Sequence, residues 1–353
     1  MTDTASVQTR SRGVYSMPHD RATLRKTVLS CAVLLAALLL AVVLMSLLGS
    51  EPLPARASLC AMLSFGRSQC ALTSDQFDIL FQIRLPRILL AAAVGGSLAT
   101  AGASYQALLR NPLAEPYLLG ISNGAAVGTM VALVFFGANE WSRPLLAFAG
   151  ALLATLAVYR LARGRAGATP ERLILAGVIV TTFLSSVIVF VTTLLDATRI
   201  RSFTFWLLGD LSGTSRNLLP VAIAIVVIGT FVLTANARSL NLLMLGERDA
   251  FDLGVEVGRV RIIVFVVASL LVGSSVAVSG SVGYVGLVVP HLARLSLGSD
   301  NRITIPAAAL GGALFVIVAD TIARTLIAPR ELPVGAITAL IGAPLFIYLL
   351  KRA

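Results

Sequence analysis

The stretch QIRLPRILLAAAVGGSLATAGASYQALL, residues 82–109, places two arginines directly in front of a long apolar run. About 20 apolar residues are enough to cross the ~30 Å hydrocarbon core of a bilayer. The run that starts at Leu85 therefore predicts a membrane-spanning helix, with Arg84 and Arg87 at its mouth. What these arginines do depends on the side of the membrane that the mouth faces.

The composition of the whole chain extends this prediction to a polytopic membrane protein. Of 353 residues, 57% are hydrophobic and 13% are charged, and the mean hydropathy is +0.90, which is outside the range of soluble domains. We expect an all-α fold with a disordered cytoplasmic tail over residues 1–26 and one transmembrane domain over residues 27–353. Hydropathy predicts ten spans, at 27–49, 85–109, 116–137, 143–162, 172–195, 217–236, 259–280, 283–298, 303–326 and 333–350.

The basic residues indicate the topology of these spans. The net charge of +11 comes from 28 Lys and Arg that are dispersed between apolar runs, and this dispersion excludes a nucleic-acid-binding patch. With the N-terminus inside, most of the 28 fall in cytoplasmic segments, which predicts that both termini are inside. Arg84 and Arg87 then lie outside, where arginine is disfavoured, so a partner for their positive charge is expected there.

Two segments indicate helix surfaces. Gly120, Gly124 and Gly128 recur every four residues, which predicts one helix face for close packing, within the chain or against a second copy. In Ala237–Arg261, acidic residues alternate with apolar ones, which predicts short surface helices with one apolar face. An interfacial loop lying on lipid is the alternative for that segment.

Several single features each allow a structural and a functional interpretation. The NPLAEP turn at 111–116 is a stiff connection or a gate, and His291 is a packing residue or a ligand. Asp320 is four residues before Arg324, so it forms a local ion pair or a proton relay. Cys60 and Cys70 are free thiols, or they form a disulfide if their loop is extracytoplasmic.

Motifs for catalysis within this chain are absent from the sequence. It has no G-x-x-x-x-G-K-[ST] phosphate-binding loop, no G-x-S-x-G and no H-E-x-x-H. The chain is therefore predicted not to be an enzyme.

Several long motifs, in order along the chain, carry a family resemblance. They cover residues from about 82 to 348 and are IRLPR, LLRNPLAEPYLLGISNGAAVG, FWLLGDLSG, LGERDAFDLGV, GYVGLVVPHLARL, GSDNR and ELPVGAITALIGAP. Together they resemble the FecCD-type, or type II, permeases of ABC importers for iron-siderophores, haem and cobalamin.

The resemblance implies a multi-pass permease of the bacterial inner membrane with ten helices per subunit. It implies a homodimer or paired homologue, a cytoplasmic ABC ATPase dimer and a periplasmic substrate-binding protein. ATP and Mg would be bound by the ATPase, and this chain would bind no cofactor. The implied substrate is a metal chelate, and we expect a ferric siderophore or haem, with cobalamin as the alternative. A proton-coupled secondary transporter acting through Asp320 and a non-transporting membrane scaffold are rivals from other classes.

The resemblance also implies roles for individual residues. The binding protein would dock on Arg84, Arg87 and Arg324. The implied core of the ATPase coupling segment is Leu245, Gly246, Glu247, Ala250, Leu253 and Gly254. The implied cytoplasmic gate is Asn111, Leu113, Thr169 and Pro170. Pro170 departs from the family pattern, in which a related protein has a small hydroxyl residue at this position.

Overall fold

The computed structural model describes residues 18–49, 51–64, 66, 70–136, 141–164, 167–212 and 216–351. Residues 1–17 of the predicted tail lie outside this part of the chain. The helices are α1 Pro18–Leu47, α2 Ala55–Leu63, α3 Ser74–Asp78, α4 Leu85–Leu108, α5 Ile121–Phe135, α6 Ser142–Ala162, α7 Pro170–Thr192, α8 Ala197–Leu207, α9 Leu219–Ala235, α10 Ala237–Leu245, α11 Glu247–Asp252, α12 Val257–Ser279, α13 Val285–Leu297, α14 Asn301–Thr325 and α15 Val334–Leu350.

Shorter elements connect these helices. A π-helical turn, Ile79–Arg84, leads directly into α4, and 3-10 turns at Pro116–Leu119 and Arg216–Leu218 precede α5 and α9. Two short antiparallel strands, β1 Arg163–Gly164 and β2 Gly167–Ala168, form the connection between α6 and α7.

The ten predicted spans correspond in position to ten helices, α1, α4–α7, α9 and α12–α15. Five helices among the described residues are long and apolar enough to cross a membrane, and the bent pair α9 and α10 adds a sixth if it is counted as one span. Three others, α5, α13 and α15, are apolar but shorter. The predicted all-helical membrane fold is confirmed.

Helix α4 is the central element of the bundle. Almost every residue from Ile88 to Leu108 is buried, and α4 packs against α1, α9, α12, α13 and α14. A Cβ at Gly95 would overlap the backbone carbonyl of Gly312 in α14, and one at Gly102 would overlap that of Gly286 in α13. Glycine at these positions lets the helix backbones touch, which is how membrane helices gain packing contacts without a hydrophobic driving force.

The structure differs from the prediction at the start of α1 and contains three helices, α2, α3 and α8, outside the predicted spans and the predicted surface helices. Helix α1 begins at Pro18, so residues 18–26, predicted to be disordered, are helical. Helix α8 lies between two predicted spans, and its 11 residues, which include Arg199 and Arg201, are too few and too polar to give a hydropathy signal.

Candidate functional site

Arg84 lies at the C-terminal end of α1. Its guanidinium donates hydrogen bonds to the carbonyls of Ser46 (3.1 Å), Leu47 and Glu51, and the residue is 4% exposed. A Cβ at Gly49 would occupy the space of this guanidinium. Because the last carbonyls of a helix lack partners within the helix, a cation that binds them stabilises the helix end. In the single chain, Arg84 therefore has a structural role at this helix end, and its predicted contact with a binding protein stays a prediction.

The other two predicted docking residues share one buried carboxylate. Asp320 is fully buried and accepts hydrogen bonds from Arg87 Nε at 3.0 Å and from Arg324 Nε at 3.1 Å. Arg87 also pairs with Glu331, at 2.8 Å between Nη1 and Oε2. The predicted pairing of Asp320 with Arg324 is present, and Arg87 joins it. We call these four residues the ion-pair cluster.

Exposure differs sharply across the ion-pair cluster. The side chains of Arg87 and Arg324 are 10% and 7% exposed, whereas that of Glu331 is 45% exposed. The buried Asp320 thus holds both guanidinium groups, while the half-exposed Glu331 binds Arg87 nearer to the solvent. Whether a binding protein docks on these arginines stays a prediction.

A small cap covers the same end of the bundle. It has its own buried apolar contacts, made by Leu53, Ala61, Leu72 and Leu80. Cys60 and Cys70 are joined by a disulfide, so of the two alternatives left open by the sequence the structure contains the bridge. Disulfides persist in oxidising compartments. The bridge is consistent with an extracytoplasmic position for this end of the bundle.

Helices α10 and α11 form a platform at the other end of the bundle. Gly246 separates them with a φ of +149°, a backbone conformation that favours glycine. Leu245, Phe251 and Leu253 are 68%, 70% and 63% exposed, whereas Ala250 is fully buried and Glu247 pairs with Arg261. Of the predicted coupling residues, Leu245 and Leu253 are thus exposed together with Phe251, Ala250 is buried, and the partly exposed Glu247 is bound by Arg261. The coupling role stays a prediction. Gly254, with a φ of +84°, ends the platform.

Polar bonds attach this platform to the start of α14. Asn241 of α10 donates to Asp300 Oδ1 at 2.7 Å and accepts from the backbone and side-chain nitrogens of Asn301 at 2.9 and 2.8 Å. Burial raises the pKa of the Asp300 carboxyl, but hydrogen bonds from Arg302 and Asn241 outweigh it and lower the pKa below its ordinary value. The charged carboxylate is thereby favoured as an anchor for α10 and as the N-cap of α14.

Helix α14 therefore connects the two candidate sites directly. Asn301 at its start contacts the platform, and Arg324 near its end belongs to the ion-pair cluster. A helix of 25 residues is about 37 Å long. The ion-pair cluster and the platform thus lie at opposite ends of a bundle of membrane-spanning length.

The predicted gate residues occupy two turns at the platform end. Asn111 Oδ1 accepts from the Leu113 backbone at 2.9 Å, and Leu113 is 46% exposed. Thr169 is the N-cap of α7, and Pro170 is its first residue. These positions suit a stiff turn, and the gate role stays a prediction.

The NPLAEP turn is bonded to the start of the short helix α13. Glu115 accepts from the backbone nitrogen of Tyr284 at 3.0 Å. The Tyr117 hydroxyl donates to the carbonyl of Val282 and accepts from its backbone nitrogen, each at 2.9 Å. Non-helical backbone inside a membrane protein needs such partners. This contact explains how the eighth span can be short and begin inside the bundle.

The predicted glycine face is divided between two neighbouring helices. A Cβ at Gly124 or Gly128 would overlap backbone atoms of α6, so these two glycines serve packing within the chain. Gly120 departs from the prediction: it precedes α5, has a φ of +75° and lies against Val180 and Thr181 of α7. His291 packs edge-on against Phe346, with ring centroids 6.1 Å apart.

Three residues of the candidate sites could not be predicted from the sequence. Glu331 and Asn241 have partners far away in the chain, and no local pattern marks them. Phe251 was recognisable as apolar, but its exposure could not be read from an alternating acidic and apolar pattern.

Comparison with known proteins identifies the family. The profile of the FecCD transport family matches residues 34–352. A cobalamin import system permease protein, BtuC of Halobacterium salinarum, is 42% identical over 304 residues, which cover 86% of this chain and 80% of the relative. The hemin transport system permease protein HmuU of Yersinia pestis is 40% identical over 296 residues, covering 82% and 88%.

A solved structure has the same fold. It is a metal-chelate type ABC transporter in an inward-facing conformation, with a TM-score of 0.78 and 30% identity, and the match covers 92% of this chain and 99% of the solved chain. The family match, the identity to the relatives and the shared fold agree with each other. The chain belongs to the FecCD transport family and is an integral membrane permease of the ABC importer class.

Proposed function

We propose that this chain is the permease subunit of an importer for a metal chelate, driven by ATP hydrolysis on a separate ATPase. The observation that carries the proposal is the placement of the ion-pair cluster and the platform at opposite ends of α14. A binding protein would deliver the chelate at the first end, and an ATPase dimer would bind the second. Two copies of this chain would enclose the pathway.

The exposed apolar patch suits the ATPase side. Leu245 and Phe251 lie on two short helices that Asn241 and Glu247 hold in place, and Leu253 directly follows the second helix. Apolar side chains grouped on one exposed surface mark interaction sites. An ATPase seated on this patch would pull on α10 and, through Asn301, on α14.

Replacing Leu245 and Phe251 by serine tests this coupling. Both side chains are exposed, so we expect the fold and the binding-protein affinity to be unchanged. We expect stimulation of ATP hydrolysis by the binding protein to be lost when the permease is reconstituted with its ATPase. Leu63→Ser, at the cap end, is the matched control because Leu63 is 81% exposed. Full stimulation in the double variant would remove the coupling role.

The ion-pair cluster would bind a docking protein if a carboxylate of that protein replaced Glu331 on Arg87. Glu331 is the half-exposed carboxylate on Arg87 and occupies the position that a carboxylate of a binding protein would take. Arg binds carboxylates with defined geometry, so an incoming acid would compete with Glu331 for the same guanidinium. Asp320 would keep both arginines in position during the exchange.

Glu331→Gln is expected to tighten docking. Removing the competing charge should improve binding-protein affinity about two- to fivefold, since an exposed ion pair contributes ~0.5–1 kcal/mol. Arg87→Gln should weaken the affinity. Binding-protein affinity is measured on the permease in lipid nanodiscs, and Asp196→Asn controls for a general loss of negative charge. An affinity unchanged or lowered by Glu331→Gln contradicts the exchange.

The chelate itself is a finer proposal. We favour an iron chelate, either a ferric siderophore or haem, and the similarity to a hemin transport permease supports haem. The similarity to a cobalamin import permease supports cobalamin as the second candidate. Competition of a ferric siderophore, hemin and cyanocobalamin for uptake distinguishes them.

A further inference from the structure

A groove between α1, α13 and α14 is outside every site described above. Its volume is about 680 Å³, and its lining includes the small residues Ala293, Ala307 and Gly311. Larger side chains also line it, namely Leu29, Val33, Leu34, Leu292, Leu314 and Phe315. Small residues among large ones leave room for a ligand, and the lining is almost entirely apolar.

The length of the groove matches one leaflet of a bilayer. On α14 the lining runs from Ala307 to Val318, which is about 17 Å of helix. Half of the hydrocarbon core is about 15 Å. An acyl chain from a single leaflet therefore fits along the groove.

Two basic residues lie at one end of the groove. Lys26 is four residues before Ser30 and Arg25 is four residues before Leu29, so both lie one turn beyond the lining of α1. Both are exposed, and the Lys26 ammonium donates one hydrogen bond to the carbonyl of Leu297 in α13. An ammonium has three donors, so it can also bind a phosphate.

The basic end of the groove is the platform end of the bundle. Leu297 is followed by Gly298 and by Asp300, which is bonded to Asn241 of the platform. The cytoplasmic leaflet of a cell membrane is rich in anionic lipids, and each nearby Lys or Arg adds attraction to it. The charge and the apolar length thus match an anionic phospholipid at its headgroup and its chain.

We propose that the groove is a binding site for one anionic phospholipid of the cytoplasmic leaflet. An acyl chain lies on Ala293, Ala307 and Gly311, and the phosphate lies between Arg25 and Lys26. By bridging α1 to the end of α13, the lipid holds the loop that carries Asp300. The site is independent of the transported chelate.

The test is lipid retention by the purified, full-length permease, measured by native mass spectrometry. The probes are phosphatidylglycerol and phosphatidylcholine with identical chains. The native chain is expected to prefer phosphatidylglycerol by roughly tenfold to thirtyfold, from two basic residues near the headgroup. Arg25→Gln with Lys26→Gln should reduce the preference to about onefold to twofold while phosphatidylcholine binding persists.

A second variant fills the groove. Ala293→Phe with Ser296→Phe should remove retention of both lipids, and Ala224→Phe, at an exposed position on α9, should change neither. An unchanged preference in the charge variant, or unchanged retention in the filled variant, overturns the proposal. A filled variant that keeps its lipid but changes its oligomeric mass would assign the groove to a second copy instead.

Discussion

Asp320→Ala is expected to destabilise the permease by about 3–5 kcal/mol, because it leaves two buried arginines without their shared carboxylate. Arg87 and Arg324 both donate to Asp320, at 3.0 and 3.1 Å, so the variant would leave two like charges next to each other. Breaking one side of a buried ion pair costs far more than breaking an exposed one. The defect should appear as a lower thermal midpoint in lipid nanodiscs.

The control for this prediction is an exposed ion pair. Glu256 pairs with Arg259 at 3.5 Å, and both side chains are 74% exposed. Glu256→Ala should therefore cost no more than about 1 kcal/mol. If Asp320→Ala unfolds at the same temperature as Glu256→Ala, the ion-pair cluster does not hold this end of the bundle together.

Gly102→Ala is expected to cost about 3 kcal/mol, although alanine is the better helix former. The added Cβ would overlap the carbonyl of Gly286, which is backbone and cannot rotate away as a side chain would. Helices α4 and α13 would have to separate, and the contacts of the NPLAEP turn with Tyr284 would be disturbed.

Gly258→Ala is the matched control for this substitution. Gly258 lies in the first turns of α12, and an added Cβ there has no neighbour within 4 Å among the described residues. It should be neutral or slightly stabilising, since alanine raises helix propensity by up to ~1 kcal/mol. Equal thermal midpoints for the two variants would contradict close backbone packing of α4 on α13.

The spans could be predicted because each is a long apolar run, and hydropathy is a property of contiguous sequence. Helix α8 has no such run, so it was missed. The start of α1 was missed for a related reason, since residues 18–26 are polar but continue the helix. Helices that cross the membrane could thus be predicted from their apolar runs, whereas helical segments made of polar residues could not.

The partners of the arginines show more clearly which contacts can be predicted from the sequence and which cannot. The pair of Asp320 with Arg324 could be predicted from its spacing of four residues on one helix. Glu331 is 244 residues from Arg87, and the carbonyls that bind Arg84 belong to residues 33 to 38 positions earlier. Such contacts depend on how helices assemble. The sequence shows that the arginines lie at the start of α4, but it does not show that carbonyl and carboxylate groups of the same chain bind them.

ATP-dependent uptake into proteoliposomes tests the central claim most directly. The permease is reconstituted with its ATPase, ATP is enclosed, and a labelled chelate on its binding protein is added outside. We predict accumulation of the chelate only when the permease, the ATPase, ATP and the binding protein are all present. Accumulation driven by a proton gradient without the ATPase, and lost in Asp320→Asn, would contradict the account and favour a secondary transporter.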